Sequence, residues 1–133
     1  MWGLSLFTPV LDVSMFDRAM AALVVASIGG VFAITGVAGF RRAQTTLNPT
    51  KPQTTSSLVT AGIYQYTRNP MYVGLLFVIV GWAAFLSSLW ALLGPLAFAL
   101  YITRFQILPE ERVLTSLFGA EYAAYQSRVR RWL

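Results

Sequence analysis

Charged and apolar positions alternate along the chain in long blocks rather than in short periods. Residues 19–40 hold 22 positions without a charge. That is enough for one helical crossing of a bilayer, which takes about 20 residues at about 1.5 Å each. Asp17 and Arg18 precede the block, and Arg41 and Arg42 close it. Within it Ala22, Ala26 and Gly30 lie four apart, on one helix face where a second helix can approach closely. Packing against a helix of the same chain is favoured there over dimerisation. Residues 71–103 form a second block of 33 positions without a charge. One straight helix of that length would run about 50 Å, against a hydrocarbon core about 30 Å thick, so the block must break. Ser87-Ser88 is its most polar central point and predicts a tight hairpin with arms over 70–86 and 89–108. Gly94-Pro95 predicts a kink in the second arm.

The segments between these blocks read differently. Residues 1–16 are mixed and too short to span, which predicts an interfacial or partly inserted segment. Residues 41–63 carry two prolines and no apolar period, which predicts an ordered loop. Its last part, Leu58-Val59-Thr60-Ala61-Gly62-Ile63, is expected to lie against the membrane surface. Asn69-Pro70 reads as a helix start, with Asn69 as the N-cap and Pro70 where a missing N–H is harmless. Pro109 is expected to begin a new helix with Glu110 and Glu111 in its first turn and Gly119 as its C-cap. A last amphipathic helix follows, with Tyr122, Tyr125, Val129 and Trp132 on one face and Arg128, Arg130 and Arg131 in the headgroup layer.

Composition sharpens this picture. The chain is 56% hydrophobic and 11% charged, against about 25% charged in soluble domains. An all-α integral membrane protein follows, a single unit of about three transmembrane helices plus C-terminal amphipathic helices. The expected divisions are a first span at 19–40, a cytoplasmic loop at 41–69, a hairpin at 70–108 and a tail at 109–133. The 133 residues contain no cysteine and no histidine. Thiolate catalysis, disulfides and the usual general base are therefore excluded, and no metal site is expected. The net charge of +5 belongs to arginines and a lysine flanking apolar blocks, a topology signal rather than a nucleic-acid surface. No positive region precedes an apolar stretch at the start, so no signal peptide is expected. Arg41, Arg42, Lys51 and Arg68 in the loop, and five arginines from Arg104 onward, put loop and tail on the cytoplasmic side. Arg68, Tyr72, Glu110, Glu111 and the aromatic tail then meet at one membrane face.

Arg68-Asn69-Pro70-Met71-Tyr72-x-Gly74, followed by a hairpin, Pro109-Glu110-Glu111-Arg112-x-Leu114, Phe118-Gly119-x-x-Tyr122-x-x-Tyr125 and Val129-Arg130-Arg131-Trp132, resembles one group. It is the isoprenylcysteine carboxyl methyltransferase and phospholipid N-methyltransferase superfamily of integral membrane methyltransferases. The resemblance covers about residues 38–133, and residues 41–49 look like small prokaryotic members. It implies a multi-pass protein of a prokaryotic cytoplasmic membrane. It also implies S-adenosylmethionine bound near the cytoplasmic face and a lipid-like or amphiphilic acceptor arriving from the bilayer. Asn69 stands where isoprenylcysteine methyltransferases usually have histidine, so a titrating role at that position is lost.

On that resemblance Arg68 and Tyr72 are the candidate catalytic residues. The candidate cofactor-binding residues are Tyr64, Arg68, Asn69, Pro70, Tyr72, Gly74, Glu110, Glu111, Tyr122 and Tyr125. Adjacent helical positions point about 100° apart, so one of the two glutamates is expected to face the ligand, with Glu110 preferred. Arg128 and Arg131 are assigned mainly to phospholipid headgroups. Short spans leave room for a homodimer. Two other readings stay open: an NADPH-dependent membrane reductase of sterol-reductase type, and a non-enzymatic packing protein.

Overall fold

The computed structural model describes residues 1, 3, 12–43 and 57–133. The described residues are helical, with no strand among them. Most of the N-terminal segment expected at the interface, and residues 44–56 of the expected loop, lie outside them.

The first helix, α1, runs Met15–Arg42, so it starts before and ends after the uncharged block. Ser14 caps it, its hydroxyl accepting the Asp17 N–H at 3.1 Å. Asp17 in the first turn and Arg41 and Arg42 in the last complement the helix dipole. The arginines thus belong to the helix and not to the loop. After a 3₁₀ turn at Gly62–Gln65, α2 runs Pro70–Leu86. The hairpin at Ser87-Ser88 is present. Ser87 takes a left-handed conformation at φ 48° and ψ 36°, and its N–H bonds the Ala84 carbonyl.

The return arm departs from expectation. A 3₁₀ turn at Leu89–Leu92 leads into α3, Leu93–Ile102. Gly94-Pro95 therefore sits in the first turn of α3, directly after the 3₁₀ turn. Pro109 does not open a separate helix. A π turn at Thr103–Ile107 joins α3 to α4, Leu108–Phe118, in one apolar helix spanning Leu89–Phe118. The Leu108 N–H reaches back to the Thr103 carbonyl. That five-residue step widens the helix just ahead of Pro109, whose ring would otherwise crowd the preceding turn. Gly119, at φ 51°, ends α4 and leads into α5, Ala120–Arg128. Met15–Arg42 and Leu89–Phe118 are long and apolar enough to cross a membrane, and Pro70–Leu86 is a shorter apolar helix.

α1 and α2 pack antiparallel along a seam of small residues. A Cβ on Gly29 would lie 2.5 Å from the Gly74 carbonyl oxygen, and one on Gly81 would lie 2.9 Å from the Ala22 carbonyl oxygen. Gly36 lies against Pro70 and Met71. The seam follows Ala22, Ala26, Gly29, Ala33 and Gly36 and passes by Gly30, which has open space beside it. A strict four-residue spacing drifts about 40° per step around a helix of 3.6 residues per turn, so the buried line must alternate threes and fours. Phe32 and Phe77 stack at 5.7 Å on the same interface. At its far end Arg18 Nε donates to the Phe85 carbonyl at 2.6 Å.

A second core lies beyond the other end of the seam. Tyr64, Tyr122, Tyr125 and Val129 are buried together, with Phe40, Leu58, Val59, Ile63, Leu114 and Phe118 packed around them. Leu58, Val59 and Ile63 are half-buried against this core.

Enlarging Gly74 must push α1 and α2 apart. Gly74→Val is expected to lower the thermal midpoint in detergent, with a cost of about 1–3 kcal/mol. Gly30→Ala should be neutral or slightly stabilising, since nothing lies within 4 Å of its Cβ position. Equal midpoints for the two variants would refute the seam.

Candidate active site

The start of α2, the first turn of α4 and residues 129–133 meet at the end of the α1–α2 seam. What brings them together is a buried carboxylate. Glu111 is 9% exposed. Its Oε1 lies 3.0 Å from Arg68 Nη1, and Arg131 closes a two-pronged pair on it, Nε to Oε1 and Nη2 to Oε2, both at 2.9 Å. Such planar pairs are the strong form of carboxylate recognition. The main chain of the tail adds to them. Arg68 N–H donates to the Arg130 carbonyl at 3.0 Å. Asn69 Nδ2 donates to the Arg131 carbonyl at 2.9 Å, and the Thr67 hydroxyl reaches the same oxygen at 3.4 Å.

Asn69 thus occupies the N-cap position without capping: no side-chain bond reaches the α2 amides, and its amide is spent on the tail. Pro70 at the first position supplies no N–H, and the Val73 N–H already meets the Asn69 carbonyl. The first turn of α2 keeps uncapped amides beside Arg68. Arg68 Nη1 also reaches the Tyr122 hydroxyl at 3.4 Å, whereas its Nε is buried with no partner among the described residues.

The neighbouring carboxylate is held differently. Glu110 Oε1 accepts the Tyr72 hydroxyl at 2.8 Å and the Gln106 side-chain amide at 2.8 Å. Tyr72 comes from the first turn of α2 and Gln106 from the π turn. The two glutamates point in different directions from one helical turn, about 100° apart as their adjacency requires.

The sequence-derived residues fall into two groups. Arg68, Asn69, Tyr72, Glu110, Glu111 and Tyr122 converge on this cluster. Pro70 and Gly74 do not; both face α1 on the seam, against Gly36 and Gly29. Tyr64 and Tyr125 belong to the second core. Tyr125 donates to the Tyr64 carbonyl at 2.7 Å, and Tyr64 to the Gly36 carbonyl at 3.4 Å. Burial pushes the hydroxyls of Tyr64, Tyr122 and Tyr125 above the usual tyrosine range, so all three stay neutral. Gln106 and Thr67 are absent from the sequence-derived set, and Arg131 has a larger part than a headgroup contact. A four-residue spacing from Gln106 to Glu110 is the signal that marks the first. Thr67, fully buried, and the tail carbonyls carry no such mark.

Comparison with known proteins adds a family to this geometry. The phospholipid methyltransferase family model matches residues 17–121. Protein-S-isoprenylcysteine O-methyltransferase of Schizosaccharomyces pombe is 37% identical over 75 residues, 54% of this chain and 30% of that one. Methanethiol S-methyltransferase of Pseudomonas deceptionensis is 34% identical over 98 residues, 68% of this chain and 33% of that one. An uncharacterized protein of Haemophilus influenzae is 46% identical over 63 residues, 47% of this chain and all of that one. The chain thus spans about a third of the length of these two enzymes. No solved structure matches it. With the family pattern running from the first turn of α1 into α5, and so across both glutamates and the start of α2, this chain belongs to the phospholipid methyltransferase family.

Proposed function

We propose that the chain transfers a methyl group from S-adenosylmethionine to a membrane-soluble small or lipid-like acceptor. The observation that carries this reading is the pairing of two unlike polar groups at one helix start. Arg68 keeps a buried, unpartnered Nε beside uncapped α2 amides, a place for a ligand carboxylate. Glu110 is a carboxylate with no cation paired to it among the described residues, a place for an ammonium or for ribose hydroxyls. A zwitterionic amino-acid ligand carries both complements, so the residues present fit the methyl donor. When bound, that group supplies a methyl already activated on a sulfonium.

The chain's own residues then bind and orient. Arg68 is fixed by Glu111 and Tyr122, and Tyr72 is fixed by Glu110. Glu111 is saturated by two arginines, so its part is to hold α2, α4 and the tail in register. A carboxylate or thiolate acceptor needs no base. An amine acceptor would have to arrive deprotonated, since Glu110 is occupied by the methyl donor on this reading and the chain has no histidine.

On this reading α1, α2 and the apolar part of Leu89–Phe118 make three crossings, with the cluster at a cytoplasmic face. Arg41, Arg42, Arg68, Arg112 and Arg131 support this reading, since all belong to the end of the molecule that carries the cluster. The acceptor would enter from the lipid beside them.

Calorimetry on the detergent-purified chain should show saturable binding of S-adenosylmethionine. Arg68→Ala and Glu110→Gln should each weaken it about tenfold or more, the scale of a hydrogen bond to a charged group. Binding of NADPH alone would replace this reading with the reductase. Failure of both ligands to bind the folded chain would remove the enzymatic readings.

Glu111→Gln should act mainly on stability. It strands two guanidinium groups, one of them buried. The expected cost is about 3 kcal/mol, read as a lowered thermal midpoint. An unchanged midpoint would show that the triad does not hold the fold.

A further inference from the structure

Glu110 receives two hydrogen bonds, and both end on one oxygen. Tyr72 and Gln106 donate to Oε1, and no described residue donates to Oε2. A carboxylate has about four acceptor positions, so this one is fixed in direction while half of it is unused by the described residues. The two donors come from different sides, one across the helix interface and one from the preceding turn of the same helix.

Gln106 reaches that place through the π turn. The bond from Leu108 N–H to the Thr103 carbonyl encloses one residue more than an α turn does. One residue is worth about 100° of rotation, so the widened turn resets how the apolar face of α3 and the polar face of α4 line up. Gln106 stands in that turn, four residues before Glu110, at the distance where helix neighbours meet.

The donors on the two glutamates differ in charge. Arg68 and Arg131 neutralise Glu111. The donors on Glu110 are a phenol and an amide, which orient the carboxylate without cancelling its charge. We propose that Gln106 is a positioning residue of the active site, pinning Oε1 of Glu110 together with Tyr72 so that Oε2 is a fixed acceptor for a cationic or hydroxyl-bearing group of the methyl donor. This rests on reading the site as a methyl-donor site.

The test is a cycle of S-adenosylmethionine affinities in detergent for the full chain, Gln106→Met, Glu110→Gln and the double variant. Methionine keeps the length of glutamine and removes the donor. Gln106→Met is expected to weaken binding about tenfold in the parent chain and less than about twofold when Glu110 is already glutamine. Gln106→Glu should weaken it further, because a like charge would face Glu110. Tyr72→Phe, which removes the second donor to the same oxygen, gives an independent cycle should Gln106→Met not fold. Parent-like affinity for Gln106→Met, or equal losses in both Glu110 backgrounds, would overturn the inference alone. Absence of binding by the folded parent chain would overturn the reading of the site and this inference with it.

Discussion

A carboxylate taken out of water costs several kcal/mol unless charged partners surround it, and Glu111 sets that condition for the whole polar end of the molecule. No single segment satisfies it. Arg68 arrives from the stretch ahead of α2 and Arg131 from the tail beyond α5. Once both are in place the chain on either side of them has little freedom. Residues 67–69 lie against the carbonyls of Arg130 and Arg131, and α2 begins where Arg68 is held. The tyrosine core behind it fills with side chains from these segments together with Phe40 of α1 and Tyr122 and Tyr125 of α5.

The glycine seam and the ion-pair cluster are two ends of one arrangement. Pro70 and Gly74 turn one side of the α2 start toward α1, which lets the backbones come close. Arg68 and Tyr72 are drawn to α4 and the tail. A bulkier seam would shift the start of α2 relative to the glutamates. A motif that reads as one functional string is therefore split by helix geometry, alternately serving packing and chemistry.

Much of this was legible in the residues. The two uncharged blocks gave the helices, since block length against membrane thickness forces a break and Ser87-Ser88 is its polar centre. The convergence of Arg68, Tyr72, Glu110 and Glu111 followed from the basic loop and tail sharing one side. The continuous passage through Pro109 was not legible, because a π turn is a backbone adjustment that leaves no residue signature. Gly29 and Gly30 are neighbours of one type, and only the 3.6-residue period against a real partner separates their roles. In the sequence Tyr64 and Tyr125 read as interfacial anchors before ligand contacts, and neither reading anticipates a core. Their hydroxyls settle on main-chain carbonyls, which no pattern of side chains reveals.

The tail meets the start of α2 largely through its own carbonyl oxygens. Main-chain contacts of this kind are indifferent to which side chain a position carries, but they depend on how many positions there are. Substituting Arg130 leaves its carbonyl where it is, bonded to the Arg68 N–H. Removing one residue between Val129 and Arg131 would slide every acceptor by one place and carry the Arg131 guanidinium out of reach of Glu111. At Arg130 the contact therefore tolerates a change of side chain but not a change of spacing, and a one-residue deletion here would disturb more contacts than a substitution of Arg130.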